Sequence, residues 1–142
     1  MAGNAVMDAP CVVPSSSLPA DSLVVDRPLH PTTSHPPLYA AIDLGSSNCR
    51  LLVARPCKDG FKVIDAFSRV VRLGEGVREK GYLCQAAMDR AIDALKVCSK
   101  KLRKHPGAKL HAVATEACRT AKNRDEFVRK VFDETGIELK II

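Results

Sequence analysis

The sequence predicts an α/β fold with the element order βββαβαβ, in which a mixed β-sheet carries helices. Residues 38–67 contain three short apolar runs separated by turn signals, a pattern typical of an antiparallel meander. From residue 84 onward the apolar residues recur with a helical period, and strand-like and helical segments then alternate. A meander followed by strand–helix crossovers requires antiparallel and parallel pairing in one sheet.

The first 37 residues have a different composition from the rest of the chain. They contain seven of the nine prolines and the serine run Ser15–Ser17. Such a segment buries too little apolar surface to offset the conformational entropy that is lost on ordering. We therefore predict a disordered tail over residues 1–37 and a folded part over residues 38–142.

The three predicted strands of the meander follow one another through short turns. The first strand, Leu38–Asp43, is apolar at nearly every position, which is typical of a central strand covered on both faces. The second strand is Cys49–Arg55 and the third is Phe61–Phe67. The Asp59-Gly60 pair between them favours a hairpin, because Gly tolerates positive φ.

A glycine-rich loop and a long helix come next. The three glycines in Val71–Gly81 predict a loop whose backbone wraps closely around a ligand or another loop. A helical period then extends from Cys84 to Lys104, with cations in the last turn that complement the helix dipole. We expect core packing from one apolar stripe of this helix: Met88, Ala91, Ile92, Ala94, Leu95, Cys98, Ser99 and Leu102.

The second half of the folded part predicts two more strands and two more helical segments. The fourth strand is Leu110–Thr115, followed by a helical turn at Glu116–Ala121. Asn123 and Glu126 match a helix N-cap with its reciprocal carboxylate. The helix that they begin extends to Thr135, and its predicted inward residues are Phe127, Val128, Val131 and Phe132. The fifth strand begins at Ile137 and extends to Ile142.

The first candidate functional site is the turn between the first two strands. Asp43 ends the first strand, and Gly45, Ser46, Ser47 and Asn48 form the turn. Turn N–H groups can form an anion-binding concavity, and a neighbouring carboxylate can hold a divalent cation. The stretch therefore predicts a site for phosphate and metal, with an ordinary polar hairpin turn as the alternative.

A second candidate segment follows the fourth strand. Ligands in α/β sheets gather at the carboxyl ends of parallel strands, and Thr115 ends the fourth strand as Asp43 ends the first. If the two strands are parallel neighbours, both ends open onto one crevice. Arg119, four residues further along, has the planar fork that suits a phosphate group. The alternative for Arg119 is a surface residue paired with Glu116 or Asp125.

Three motifs carry a resemblance to known proteins. Asp-Leu-Gly-Ser-Ser-Asn at residues 43–48 resembles the first phosphate-binding turn of the actin-like ATPase (RNase H-like) superfold. Val-Arg-Leu-Gly-Glu-Gly at 71–76 and Ala-Thr-Glu-Ala-Cys-Arg at 114–119 are similar to motifs of the exopolyphosphatase / guanosine pentaphosphate phosphatase (Ppx/GppA) family. The resemblance covers residues 38–142 and implies a truncated N-terminal subdomain of that family, a partial actin-like subdomain.

The resemblance also implies roles for individual residues. Asp43 matches the catalytic aspartate near the metal or the attacking water, and Mg²⁺ is the implied ion. The implied phosphate ligands are Gly45, Ser46, Ser47, Asn48, Thr115 and Arg119. The usual Asn-Ser after the first serine appears here as Ser47-Asn48. The implied supporting loop contains Arg72, Glu75 and Gly76, although Glu75 could instead only hold Arg72 or Arg78.

The function that the resemblance implies is Mg²⁺-dependent hydrolysis of terminal phosphoanhydride bonds in polyphosphate or guanosine pentaphosphate. The family's catalytic glutamate would follow the strand that ends at Ile142, so we expect residues 38–142 to be inactive alone. We also expect the full-length protein to form a homodimer. The alternatives are half of an actin-like sugar or acetate kinase or ATPase, and a non-catalytic fragment that binds polyanions.

Composition limits the remaining possibilities. The net charge of +6 favours polyanionic partners such as polyphosphate, nucleotides or nucleic acid, with a solvated charged surface as the alternative. We expect no partner that is a specific nucleic acid. No apolar run is long enough for a membrane span. The six cysteines form no C-x-x-C pair and no metal-ligand spacing, which favours a reducing cytoplasm.

Overall fold

A computed structural model describes residues 36–142, so residues 1–35 of the predicted tail lie outside the described part of the chain. The described residues form a five-stranded sheet in the order β3-β2-β1-β4-β5. The strands are β1 (Tyr39–Leu44), β2 (Asn48–Cys57), β3 (Gly60–Val70), β4 (Lys109–Ala114) and β5 (Lys140–Ile141). β1 pairs antiparallel with β2 and parallel with β4, which confirms the predicted mixed sheet.

Four helices connect the strands. They are α1 (Val77–Lys80), α2 (Gln85–Leu102), α3 (Glu116–Thr120) and α4 (Arg124–Thr135). α1 lies within the segment that was predicted to be a loop, and β5 is shorter than predicted. None of the helices in residues 36–142 combines the length and the apolar composition needed to cross a bilayer.

The hydrophobic core lies between one face of the sheet and α2. The predicted stripe of α2 is largely confirmed, since Met88, Ile92 and Leu95 are buried together with its alanines and Cys98. In β1, Ile42 and Leu44 face this core, where burial of such side chains stabilises the fold by about 1.5–3 kcal/mol each.

The other face of β1 differs from the prediction. Burial alternates along the strand, and Tyr39 is 44% exposed. Asp43 lies on the same open side as Tyr39. The prediction of a strand covered on both faces is therefore wrong within residues 36–142. The sequence misled because alanine, present at positions 40 and 41, suits a covered face and an open face equally well.

α4 packs against α2 with only part of its predicted apolar face. Phe127 and Val131 are fully buried, and Val128 is partly buried. Phe132, however, is 55% exposed, so its predicted inward position is wrong. Phe132 follows Val131 directly and is therefore rotated by about 100° around the helix axis, away from the core.

The predicted N-cap of α4 also differs in its bonding. Asn123 precedes the helix, but its side chain does not cap the helix. Its Oδ1 instead accepts a hydrogen bond from the Leu83 N–H (2.8 Å), and its Nδ2 donates to the Leu83 carbonyl (3.0 Å). The amide thereby satisfies both backbone groups of a buried residue that lies outside any helix or strand.

We expect Asn123→Ala to lower the free energy of unfolding by about 1–3 kcal/mol, because it leaves the Leu83 backbone groups without partners. Urea denaturation measures the change. Glu126→Ala is the matched control, since Glu126 is exposed and makes no side-chain hydrogen bond within residues 36–142. We expect the control to stay within about 0.5 kcal/mol of the parent. Equal losses for the two variants would contradict this interpretation.

Candidate functional site

The β1–β2 turn, residues 45–48, is closed by one backbone hydrogen bond. The Gly45 N–H donates to the Asn48 carbonyl at 2.9 Å. The hydroxyls of Ser46 and Ser47 and the amide of Asn48 make no side-chain hydrogen bond within residues 36–142. Ser47 is exposed and its two neighbours are half-buried. These side chains are therefore free to contact a ligand.

The Val71–Gly76 loop packs directly against this turn. The N–H groups of Val71 and Arg72 both donate to the Ser47 carbonyl, at 2.8 and 3.0 Å. The Gly74 N–H donates to the Ser46 carbonyl at 2.8 Å. A Cβ on Gly74 would lie 3.0 Å from the Cβ of Ser46, so glycine permits this close approach.

Thr115 lies beside the same turn. β1 and β4 are parallel neighbours in which Leu44 is aligned with Ala114. The Thr115 N–H donates to the Leu44 carbonyl at 3.0 Å. A Cβ built on Gly45 would lie 3.9 Å from the Thr115 Oγ1, which places that hydroxyl next to the turn. The structure therefore brings the turn, the loop and the end of β4 to one edge of the sheet.

Asp43 is exposed on the open face of the sheet, one residue before the end of β1. Arg50 is its direct partner on β2. The two side chains line a concavity of about 440 Å³, together with Ala41, Leu51, Leu52, Ala66, Phe67 and Ser68. Arg50 was not predicted from the sequence, although the short turn between the two strands fixes its register opposite Asp43.

Arg119 lies at this edge, but its guanidinium contacts a different segment. Its Nη1 donates to the Ile142 carbonyl at 3.1 Å. Neither Glu116 nor Asp125 forms an ion pair with it among the described residues, so the surface pairing considered as an alternative is not found. The structure thus places Arg119 next to β4 without directing its side chain at the turn.

The supporting loop contains one contact that differs from the alternative considered for Glu75. Glu75 pairs with Arg90 of α2 at 2.7 Å, and not with Arg72 or Arg78. Arg72 has a φ of 50°, in the left-handed region that non-glycine residues rarely adopt. Gly76 has a φ of 74° and precedes α1.

A smaller pocket lies on another side of the turn. Its volume is about 120 Å³, and it is lined by Ser46, Gly74, Val77, Arg78, Glu116, Ala117 and Thr120. Among these residues, only Ser46 was predicted from the sequence to be a phosphate ligand. Arg78, Glu116 and Thr120 reach the pocket through tertiary packing of α1 and α3, for which the sequence offers no local signal.

Two further observations restrict the chemistry of this edge. Burial raises the pKa of the Cys118 thiol to about 12, so that it stays protonated and poorly nucleophilic at neutral pH. Within residues 36–142, no group of three or more acidic, His or Cys side chains is placed to enclose a metal ion.

Comparison with known proteins gives consistent matches. A model of the Ppx/GppA phosphatase family matches residues 52–142. Guanosine-5'-triphosphate,3'-diphosphate pyrophosphatase of Vibrio atlanticus is 37% identical over 110 residues, which cover 78% of this chain and 22% of that protein. The crystal structure of the Ppx/GppA family member of Aquifex aeolicus has a TM-score of 0.70 at 34% identity, covering 74% of this chain and 34% of that chain.

An exopolyphosphatase from Cytophaga hutchinsonii also shares the fold, with a TM-score of 0.69 at 28% identity and coverage of 74% of this chain and 34% of that chain. The chain therefore spans about a fifth of the curated relative's length and about a third of these solved chains. These likenesses confirm the predicted fold class, a mixed sheet with helices that forms part of a Ppx/GppA protein. Since the family model matches most of the described residues, the chain belongs to the Ppx/GppA phosphatase family.

Proposed function

We propose that this chain is part of a phosphohydrolase that cleaves terminal phosphoanhydride bonds of inorganic polyphosphate or guanosine pentaphosphate. The observation that carries the proposal is the shared edge where Gly45 of the turn lies beside Thr115, next to the hydroxyls of Ser46 and Ser47 that make no hydrogen bond within residues 36–142. The names of the Vibrio atlanticus and Cytophaga hutchinsonii relatives indicate both substrate types. The common chemistry of the two substrates is a chain of phosphoryl groups.

In the proposed mechanism, the turn binds the terminal phosphoryl group. The Ser46 and Ser47 hydroxyls and the Asn48 amide donate hydrogen bonds to its oxygens. Thr115 Oγ1 donates from the neighbouring strand, and Arg119 supplies positive charge once its side chain leaves the Ile142 carbonyl. Donors held in place before the reaction stabilise the charge that develops on the phosphoryl oxygens.

Mg²⁺ fits this edge through Asp43. Mg²⁺ in phosphoryl-transfer sites is commonly held by one or two carboxylates together with substrate phosphates and water. Asp43 supplies one exposed carboxylate at the end of β1, beside the turn. When bound, the ion neutralises the charge of the phosphates. Asp43 also holds the attacking water by accepting a hydrogen bond from it.

Hydrolysis further requires a general base. The family resemblance assigns this role to a glutamate in the segment that follows β5. We therefore propose that residues 38–142 bind phosphoryl groups but release little phosphate without that glutamate.

A phosphate-release assay with polyphosphate and with guanosine pentaphosphate tests the proposal. It compares this chain with a protein extended past Ile142 through the next family segments. We expect Mg²⁺-dependent release from the extended protein, and less than about a tenth of that rate from this chain. Full activity in EDTA, or phosphoryl transfer from ATP to an acceptor with no hydrolysis of either substrate, would contradict the proposal.

A second candidate function, polyanion binding without catalysis, is favoured by the charge at the end of α2. Lys100, Arg103 and Lys104 are exposed there, and Lys101 pairs with Asp65 at 2.7 Å. Binding through such a surface would be independent of Mg²⁺ and would weaken steeply with salt, for polyphosphate and nucleic acid alike. A salt titration in EDTA separates this function from binding at the turn.

A further inference from the structure

Arg90 of α2 makes three contacts with the Val71–Gly76 loop. Its Nε donates to the Val71 carbonyl at 2.9 Å. Its Nη2 donates to the Glu75 carboxylate at 2.7 Å and lies 3.4 Å from the Arg72 carbonyl. The planar fork of a guanidinium allows several acceptors to be held at once, which the single ammonium of lysine does not reproduce.

The loop that Arg90 holds is the same loop that holds the turn. Val71 and Arg72 each accept from Arg90 through their carbonyls and donate to the Ser47 carbonyl through their N–H groups. Two residues further on, the Gly74 N–H donates to the Ser46 carbonyl. Hydrogen bonds through Val71 and Arg72 therefore join the guanidinium to the backbone of Ser47, and the same loop reaches the backbone of Ser46 through Gly74.

The backbone of Arg72 shows why the loop requires external support. Its φ of 50° is unfavourable for a residue with a Cβ and persists where surrounding contacts hold it. Arg90 is well suited to hold it, because α2 is fixed in the core by the fully buried Ala91 next to it. The Arg90 side chain is 40% exposed, so the helix backbone, and not burial of Arg90, provides the rigidity.

We propose that Arg90 is a positioning residue for the phosphate-binding turn: through the Val71–Gly76 loop it fixes the backbone of Ser46 and Ser47 in the geometry that receives a phosphoryl group. The identity of the ligand rests on the proposed function. The positioning itself does not, and it is measurable without any ligand.

Hydrogen–deuterium exchange on this chain tests the positioning directly. In Arg90→Ala, the amides of Val71, Arg72 and Gly74 are expected to exchange at least about tenfold faster, because the loop opens without unfolding the sheet. The Thr115 amide, which bonds to Leu44, is expected to keep its rate. Unchanged exchange in the loop, or equal acceleration at Thr115, would overturn the proposal.

Lys96→Ala is the matched control for the exchange experiment. Lys96 is on the same helix, is similarly exposed, and forms an ion pair with Glu134 at 2.7 Å, as Arg90 does with Glu75. Its partner lies on α4, away from the turn. We expect normal loop exchange in this variant, and acceleration equal to that of Arg90→Ala would overturn the proposal. Arg90→Lys is expected to give an intermediate rate, because lysine keeps the charge but loses the fork.

A binding measurement connects the positioning to phosphate. Titration of this chain with tripolyphosphate and Mg²⁺ is expected to show an affinity at least about fivefold lower in Arg90→Ala than in the parent or Lys96→Ala. Equal affinity in all three would overturn the link to the ligand. If the parent binds no tripolyphosphate, the proposed function fails, while the exchange experiment still decides whether Arg90 positions the turn.

Discussion

Replacing Asp43 by Asn is expected to lower Mg²⁺-dependent phosphate release from polyphosphate at least about tenfold in the extended protein. The change keeps the size of the side chain but removes the negative charge that would hold the metal ion. Asp43 is exposed on the open face of the sheet, so the substitution leaves the hydrophobic core intact. Steady-state rates at several Mg²⁺ concentrations measure the effect.

Asp59→Asn is the matched control for Asp43→Asn. Asp59 is an exposed carboxylate in the hairpin between β2 and β3, at the other end of β2 from the turn. We expect its removal to leave the rate unchanged. A parent-like rate for Asp43→Asn, with the same Mg²⁺ dependence, would remove Asp43 from the site.

The largest expected effect on stability comes from Phe127→Ala. Phe127 is fully buried on the face of α4 that packs towards α2, and its truncation leaves a cavity in a close-packed core. Such changes cost about 3–5 kcal/mol of unfolding free energy. Urea denaturation followed by circular dichroism measures the loss. Because small domains are stable by only about 5–15 kcal/mol, we expect a large shift of the midpoint.

Phe132→Ala provides a control with the same chemistry on the same helix. Phe132 is 55% exposed, so its truncation removes little buried area. We expect a loss below about 1 kcal/mol. A loss as large as that of Phe127→Ala would show that Phe132 is packed inward, as the sequence alone predicted.

The fold was largely predictable because its main signals are local. The apolar runs of the meander, the helical stripe of α2 and the turn glycines are each signals carried by residues close together in the sequence. α1 was not predicted because its four residues are too short to show a helical period. The side-chain bonds of Asn123 were not predicted because their partner, Leu83, is 40 residues away in sequence.

The candidate site was predictable where its residues are neighbours in the sequence. Asp43 and residues 45–48 lie together in the sequence, and the parallel pairing of β1 with β4 brings Thr115 beside them. Arg90 and Arg78 were missed because a charged residue on a helix or loop is compatible with simple solvation. Which way the Arg119 side chain points depends on its contact with Ile142, 23 residues further along the chain.

The hydrogen bonds that brace the β1–β2 turn have a consequence for thermodynamics. The carbonyls of its two serines accept hydrogen bonds from N–H groups of the Val71–Gly76 loop, and the carbonyl of the neighbouring Leu44 accepts one from the Thr115 N–H. An isolated hairpin would lack these partners. Anion affinity at this turn should thus be a property of the cooperatively folded state alone. By linkage, any occupant would raise the melting temperature of the entire unit, and thermal shift would report occupancy even in a catalytically silent protein.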